Sequence, residues 1–210
     1  MLRPAIAGLY ALTPDLLDTD LLTERVAAAI SGGATAIQYR NKLASPPLKR
    51  AQALVLRDLC SASNAIFIVN DDVDLAYAVD ADGVHLGQDD LPLQAARALA
   101  PPSFLVGVST HSEPQARAAL GEGADYIGFG PVFATQTKEN PDPVVGLSAL
   151  ATICRLPIPV VAIGGITVEN AAQVARAGAA AAATISATCA AADPTFAAAA
   201  MIAAFAQGTR

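Results

Sequence analysis

AIFIVNDDVDLAYAVDADGVHLGQDD, Ala65 to Asp90, sets two short β-rich apolar runs, AIFIVN and GVHLG, on either side of a helix-like stretch, VDLAYAVD. Strand, helix and strand in so short a span is the pattern of a βαβ unit, in which the helix carries the chain back so that the two strands lie parallel. The same alternation runs outward in both directions. AIAGLYALT and TAIQYR precede the stretch as strands, and FLVGVST, YIGFGPV, PVVAIGG and AAATISA follow it. Between and after them lie the helical patterns LLTERVAAAI, PPLKRAQALVLRDLC, PLQAARALA, EPQARAALG, LSALATIC, VENAAQVARAG and TFAAAAMIAAFAQ. Eight right-handed crossovers close into an α/β fold, the (β/α)₈ TIM barrel, and 210 residues is near the compact limit for one. No linker or shift in composition marks a boundary, so residues 1–210 are expected to form a single domain.

Composition narrows the function. Hydrophobic residues make up 53% of the chain and charged ones 15%, enough for one sizeable core. A net charge of −6 argues against a nucleic-acid partner, which would need clustered Lys and Arg in excess. Phosphate, if bound, must be met locally by a few basic residues, by backbone amides or by a metal held on acids. The opening MLRPAIAGLY has no basic segment followed by a long apolar one, so a cytoplasmic protein is expected. The uncharged stretch from Ala177 to Ala192 is shorter than a membrane span and is broken by Asp193 and Pro194. Cys60, Cys154 and Cys189 show no ligand spacing and read as buried thiols.

Active sites of this fold form at the C-terminal ends of the strands. That rim collects most of the unusual polar residues: Gln38, Tyr39, Arg40, Asn41 and Lys42 after the second strand, Asn70, Asp71 and Asp72 after the third, and Gln88, Asp89 and Asp90 after the fourth. Ser109, Thr110 and His111 follow the fifth strand and ATQTK, Ala134 to Lys138, the sixth. Gly164 and Gly165 end the seventh; Ile185, Ser186 and Ala187 end the eighth. Carboxylates on neighbouring strand ends repel unless one is protonated or a cation lies between them. Asp71 and Asp90 are the expected pair and Mg²⁺ the expected cation, since it takes one or two carboxylates and keeps places for water and phosphate oxygens. Either acid alone could instead cap a helix, near Val73 or Leu91, and spacing does not exclude Asp72 or Asp89. Arg40 and Lys42 project to one side of an extended segment and could grip an oligophosphate, with Lys138 across the rim. Gly164 and Gly165, a helix start near Thr167 to Glu169, and Ser186 read as a second anion station. No nucleophile stands beside a base; His85 is expected to bond within its strand and His111 to cap the following helix.

Taken in order, LYALTPD, QYRNK, VNDDVDLA, ADGVHLGQDD, GVSTH, YIGFGPVFATQTK, VVGL, AIGGI and ISA make the chain resemble the thiamine-phosphate synthase family over nearly its whole length. The resemblance implies a (β/α)₈ enzyme that joins hydroxymethylpyrimidine diphosphate to thiazole phosphate, releasing pyrophosphate. It implies Asp71 and Asp90 as Mg²⁺ ligands. It implies pyrimidine-diphosphate contacts from the segment Gln38, Tyr39, Arg40, Asn41, Lys42, and from Asn70, Ser109 and Lys138. Thr135, Gln136 and Thr137, with Gly165, Ile185 and Ser186, would meet the thiazole phosphate. Arg40, Lys42, Lys138 and Ser109 are the implied catalytic set. The leaving pyrophosphate then needs charge stabilisation and no protein base, which agrees with the missing triad. Thr135 to Val145 is a candidate lid. Two features depart from the family pattern: Ala179 to Ala183 stands where a Gly-Ala-Asp-Gly type segment is usual, and Thr184 where an apolar residue is. A thiazole tautomerase or a silent barrel sensing thiamine intermediates are the alternatives. The substrates are small molecules, a membrane has no part, and a homo-oligomer is compatible with the sequence.

Overall fold

Eight parallel strands pair in chain order and close on themselves, the last hydrogen-bonding to the first, in a computed structural model that describes residues 5–16, 18–135 and 142–209. They are β1 (Gly8–Leu12), β2 (Ala36–Tyr39), β3 (Ile66–Asn70), β4 (Gly83–Leu86), β5 (Leu105–Thr110), β6 (Tyr126–Phe129), β7 (Val160–Ile163) and β8 (Ala181–Thr184). A helix follows each: α1 (Thr19–Ser31), α2 (Pro46–Ala62), α3 (Val73–Ala78), α4 (Leu93–Leu99), α5 (Glu113–Gly121), α6 (Gly146–Ile153), α7 (Ala171–Arg176) and α8 (Pro194–Ala206). The TIM-barrel reading of the sequence is therefore correct. The strands expected from the sequence exceed the observed ones by one to four residues, the excess at β6, β7 and β8 falling on Gly, Pro and Ser-containing segments that belong to turns.

Local chemistry starts the helices where the chain demands. Asp18 accepts from Leu21 N at 3.0 Å and Asp193 from Phe196 N at 3.0 Å, each meeting a backbone donor that the first turn leaves unpaired. Asp72, the cap of α3, does the same for Leu75 N at 2.9 Å. No helix of the described residues is long and apolar enough to cross a membrane. The Ala-rich run resolves into β8 and turns beside it, with α8 packed on α1 and α7.

Two apolar cores result from the alternation of side chains along each strand. Leu9, Ile37, Tyr39, Phe67, Val69, Val84, Leu86, Val106 and Ile127 face the helices. Tyr10, Leu12, Ala36, Ile68, Leu105, Tyr126, Val161, Ala181 and Ala183 face the barrel axis. At β8, Ala181 and Ala183 share the axial core with Tyr10 and Tyr126, and Tyr10 pairs in register with Ala183. Thr184 is buried against the helices and its hydroxyl meets that of Thr188 at 2.9 Å, so the polar residue is satisfied where it stands.

Candidate active site

The inward parity that puts Ala36 and Ile68 on the axis also puts Gln38 and Asn70 there, one step nearer the mouth. By the same count β4 turns His85 inward and β5 turns Ser109 inward. Tyr39 has the opposite parity. Its hydroxyl donates to Gln52 Oε1 at 2.8 Å, within the helix layer, and burial pushes its pKa up. Asn41 is 4% exposed; its amide donates to Leu16 O and Gln52 Oε1 at 2.6 and 3.0 Å, and its oxygen accepts from Leu43 N and Ala44 N. The side chains of Tyr39 and Asn41 therefore build the wall beneath the site, and what they could offer a ligand is backbone. That corrects the expectation that all of QYRNK reaches the mouth.

Arg40 does stand at the rim, held from below. Thr13 Oγ1 accepts from Arg40 N and donates to Arg40 O, both at 2.8 Å, and Asp15 Oδ2 receives Arg40 Nη1 at 2.8 Å. The other oxygen of Asp15 accepts from Lys42 N at 2.6 Å, and the Lys42 side chain is exposed. Thus the loop after β1 orients the two cations after β2. Sequence reading gave Asp15 no role; the only signal was LTPD, an acid just past a strand end.

The paired acids come together. Asp71 takes a left-handed backbone, φ 63°, with its N–H donated to His85 O at 2.8 Å. That turn leaves the next residue, Asp72, to cap α3 and sets the Asp71 carboxyl beside Asp90. Burial, and then the bond and charge of Asp90, push the Asp71 pKa up to about 6, while Lys42 and Arg40 pull it down. So one cluster holds both acids within the field of both cations. Asp90 does not cap: α4 begins at Leu93 after Pro92, and Asp90 Oδ2 accepts from Gly87 N at 2.6 Å. Capping thus falls away for both members of the pair. Among the described residues no group of three or more Asp, Glu, His or Cys is assembled, so a cation here would have two carboxylates and would complete its shell with water or phosphate oxygens, a donor set that fits Mg²⁺.

At the far side of the mouth, Ile163 pairs with Ala183, which places Gly165 beside Ile185 two residues on. Both glycines have positive φ, 98° at Gly164 and 63° at Gly165. A Cβ on Gly164 would lie 2.4 Å from Pro131 Cβ, and one on Gly165 2.4 Å from Ala134 O, because the loop after β6 folds over them. The glycines therefore serve a turn and a close backbone approach, and that loop carries Thr135 to the same edge. The helix start expected at Thr167 to Glu169 is a turn; Asn170 Oδ1 accepts from Thr167 N at 2.9 Å and α7 begins at Ala171. The second station consists of backbone and of Ser186, which is exposed, without a helix terminus at 167–169. Gln136, Thr137 and Lys138, and much of the candidate lid, lie outside the described residues.

The histidines also differ from expectation. His111 does not cap α5, a role taken by Ser112; its Nδ1 lies 2.6 Å from Gly130 O and its Nε2 3.5 Å from Asp142 Oδ2. His85 bonds across the barrel rather than within its strand, to Tyr126 OH at 3.1 Å and Ser109 Oγ at 3.0 Å. Burial holds His85 down at about 4, so it is neutral at pH 7. The thiols are inert by the same physics, Cys60 and Cys189 pushed up to about 12 and Cys154 to about 11.

The thiamine monophosphate synthase family model matches residues 9–188. A thiamine-phosphate synthase from Anaeromyxobacter dehalogenans is 54% identical over 86% of this chain and 82% of its own length. One from Chloroflexus aurantiacus is 52% identical over 82% and 80%. The chain belongs to the thiamine monophosphate synthase family. Among solved structures, the thiamine phosphate pyrophosphorylase of Pyrococcus furiosus superimposes with a TM-score of 0.87 at 39% identity, covering 97% of this chain and 98% of that one. Family membership makes the chain an enzyme, and the matched span contains every candidate site residue from Gln38 to Ser186.

Proposed function

We propose that this enzyme is a transferase of thiamine biosynthesis that joins hydroxymethylpyrimidine diphosphate to thiazole phosphate and releases pyrophosphate. The observation that carries the reading is the Asp71–Asp90 pair beside Arg40 and Lys42, an arrangement that supports a metal-bound diphosphate there, on the face of a barrel whose relatives are named for thiamine phosphate. Mg²⁺, when bound by the two carboxylates, would supply charge neutralisation for the leaving group. Arg40, oriented by Asp15, and Lys42 share that task, with Lys138 as the proposed third cation. Ser109 and Asn70 would meet the pyrimidine side, while Gly165, Ile185, Ser186 and Thr135 would hold the thiazole phosphate, with Gln136 and Thr137 completing the loop.

The chemistry asks little else of the protein. The aminopyrimidine donates electron density to its methylene as the C–O bond to diphosphate breaks, and the thiazole nitrogen lone pair forms the new C–N bond. No base has to expose that lone pair, which suits a barrel whose inward histidine is neutral and whose Cys60 and Cys189 thiols are buried. Holding both phosphates fixes the attack line and keeps water from the cationic methylene. An isomerase acting on the thiazole alone would have no use for paired acids within reach of two cations.

The test is direct. Purified protein is mixed with the two phosphorylated precursors, with Mg²⁺ or with a chelator, and thiamine phosphate and pyrophosphate are followed. Product with Mg²⁺ alone supports the reading, and Asp71→Ala is expected to abolish it in a folded protein. Absence of product from folded protein that still binds a precursor overturns it in favour of the tautomerase or sensor.

A further inference from the structure

A file of hydrogen-bonded side chains crosses the buried centre of the barrel from Gln38 to Ser109. Gln38 Nε2 donates to Tyr10 OH at 2.9 Å, and Tyr10 OH lies 2.9 Å from Tyr126 OH. Tyr126 OH is 3.1 Å from His85 Nδ1, and His85 Nε2 is 3.0 Å from Ser109 Oγ. The three middle residues are deep: Tyr10 is 2%, Tyr126 1% and His85 8% exposed. Barrel centres are ordinarily filled by branched aliphatic residues, and two phenols with an imidazole are tolerated there only if every donor finds an acceptor. The backbone makes room for them. A Cβ on Gly107 would lie 2.1 Å from the Tyr126 ring, and one on Gly128 3.1 Å from the His85 ring.

Counting donors gives the file a direction. With the Gln38 N–H donated to the Tyr10 oxygen, every hydrogen of the file finds an acceptor only when the Tyr10 hydrogen goes to Tyr126 and the Tyr126 hydrogen to His85 Nδ1. Nδ1 must then be the bare lone pair, and the imidazole proton sits on Nε2, given to Ser109 Oγ. Ser109, its oxygen engaged as an acceptor, turns its own hydrogen away from His85. With the proton on Nδ1 instead, Gln38 and His85 would both donate into the phenol pair, and one of the two phenol hydrogens would have no acceptor within the file.

We infer that this file transmits hydrogen-bond polarity: the Gln38 amide, through Tyr10, Tyr126 and His85, fixes Ser109 as a hydrogen-bond donor toward the ligand, and His85 is a positioning residue held as its Nε2–H tautomer. The ligand atom opposite Ser109 must therefore be an acceptor, a ring nitrogen or phosphate oxygen. Its assignment to the pyrimidine diphosphate rests on the function proposed above. The opposite sense, Ser109 donating to His85, would make the imidazole a base.

The chain has two histidines, so a His111→Gln variant leaves His85 as the sole imidazole signal in ¹⁵N spectra of the ligand-free protein. The expected spectrum is a neutral ring protonated on Nε2. Tyr10→Phe cuts the file two side chains away from His85 while leaving both of its direct contacts, and is expected to admit the Nδ1–H form. A wild-type ring protonated on Nδ1, or a tautomer indifferent to Tyr10→Phe, overturns the inference whether or not the protein makes thiamine phosphate. In turnover, Tyr10→Phe should lower kcat about tenfold, one hydrogen bond's net worth, with KM for the thiazole phosphate unchanged. Ser109→Ala should cost roughly 100-fold, and adding Tyr10→Phe to it should cost nothing further. Additive losses would count against transmission through Ser109.

Discussion

His85 and Asp71 lie one backbone hydrogen bond apart, and their environments push their charges in opposite directions. Burial keeps His85 neutral down to about pH 4, whereas an unfolded chain takes up that proton near 6.5. Stability present above pH 6.5 is therefore lost as pH falls toward 4, a term on the order of 3 kcal/mol. For Asp71 the folded pKa is raised from 3.8 to about 6, so its contribution is full below 3.8 and is lost as pH rises through 6. In metal-free wild-type protein the two partly cancel. Urea midpoints measured at pH 7 and pH 5 should separate them: His85→Gln should lose less stability on acidification than wild type, and Asp71→Asn should lose more. Equal slopes for all three proteins would contradict both assignments. A second residue-scale expectation concerns Asp15, whose pair with Arg40 is part-exposed and worth at most about 1 kcal/mol to folding. Asp15→Ala should barely move the melting temperature yet cut kcat/KM about tenfold, because the guanidinium loses its fixed direction; the outcome is read by calorimetry beside steady-state kinetics.

At the scale of elements, aspartates just before alternate strands tie the barrel together. Asp82, ahead of β4, accepts from Phe67 N of β3 at 2.8 Å, and Asp125, ahead of β6, accepts from Val106 N of β5 at 2.8 Å while holding Arg97. Both sit at the end of the barrel opposite the mouth, where they serve stability. Glycines in the strands do different work from glycines in the helices. Gly107→Ala drives a methyl into the Tyr126 ring and should cost about 1–3 kcal/mol, as overpacking does, while breaking the buried file. Gly121→Ala, at the end of α5 with open space around its added methyl, should stabilise by about 0.5–1 kcal/mol. Thermal unfolding of the two variants checks the pair of signs. The strands and helices themselves were legible, since strict alternation of apolar runs and turn residues demands them. Their ends were not: α7 starts at Ala171 because Asn170 bonds back to Thr167 and Gly165, a local competition between side chain and backbone that periodicity does not register.

Across the whole molecule, closure of the sheet brings residues far apart in sequence to one mouth, so ligand and fold are thermodynamically linked. Mg²⁺ with pyrophosphate at about 100 times its dissociation constant should add about 2.7 kcal/mol and raise the melting temperature by about 5–10 °C. Asp90→Asn should remove most of the shift, and a shift that survives the substitution would place the cation elsewhere. The sequence by itself determined the barrel and the rim on which the acids gather, because period-2 and period-3.6 patterns and the parity of each strand are properties of order along the chain. It also placed Arg40 and Ser109 at strand ends. Only the tertiary structure decided which neighbours do which work. Asp71 rather than Asp72 meets Asp90, because a left-handed residue turns one carboxyl inward and leaves the next to cap α3. Tyr39 and Asn41 belong to the wall and Asp15 to the site, and His85 reads across three strands instead of along one. These are contacts between residues 11 to 41 positions apart, and distance along a chain carries no information about them until the sheet has closed.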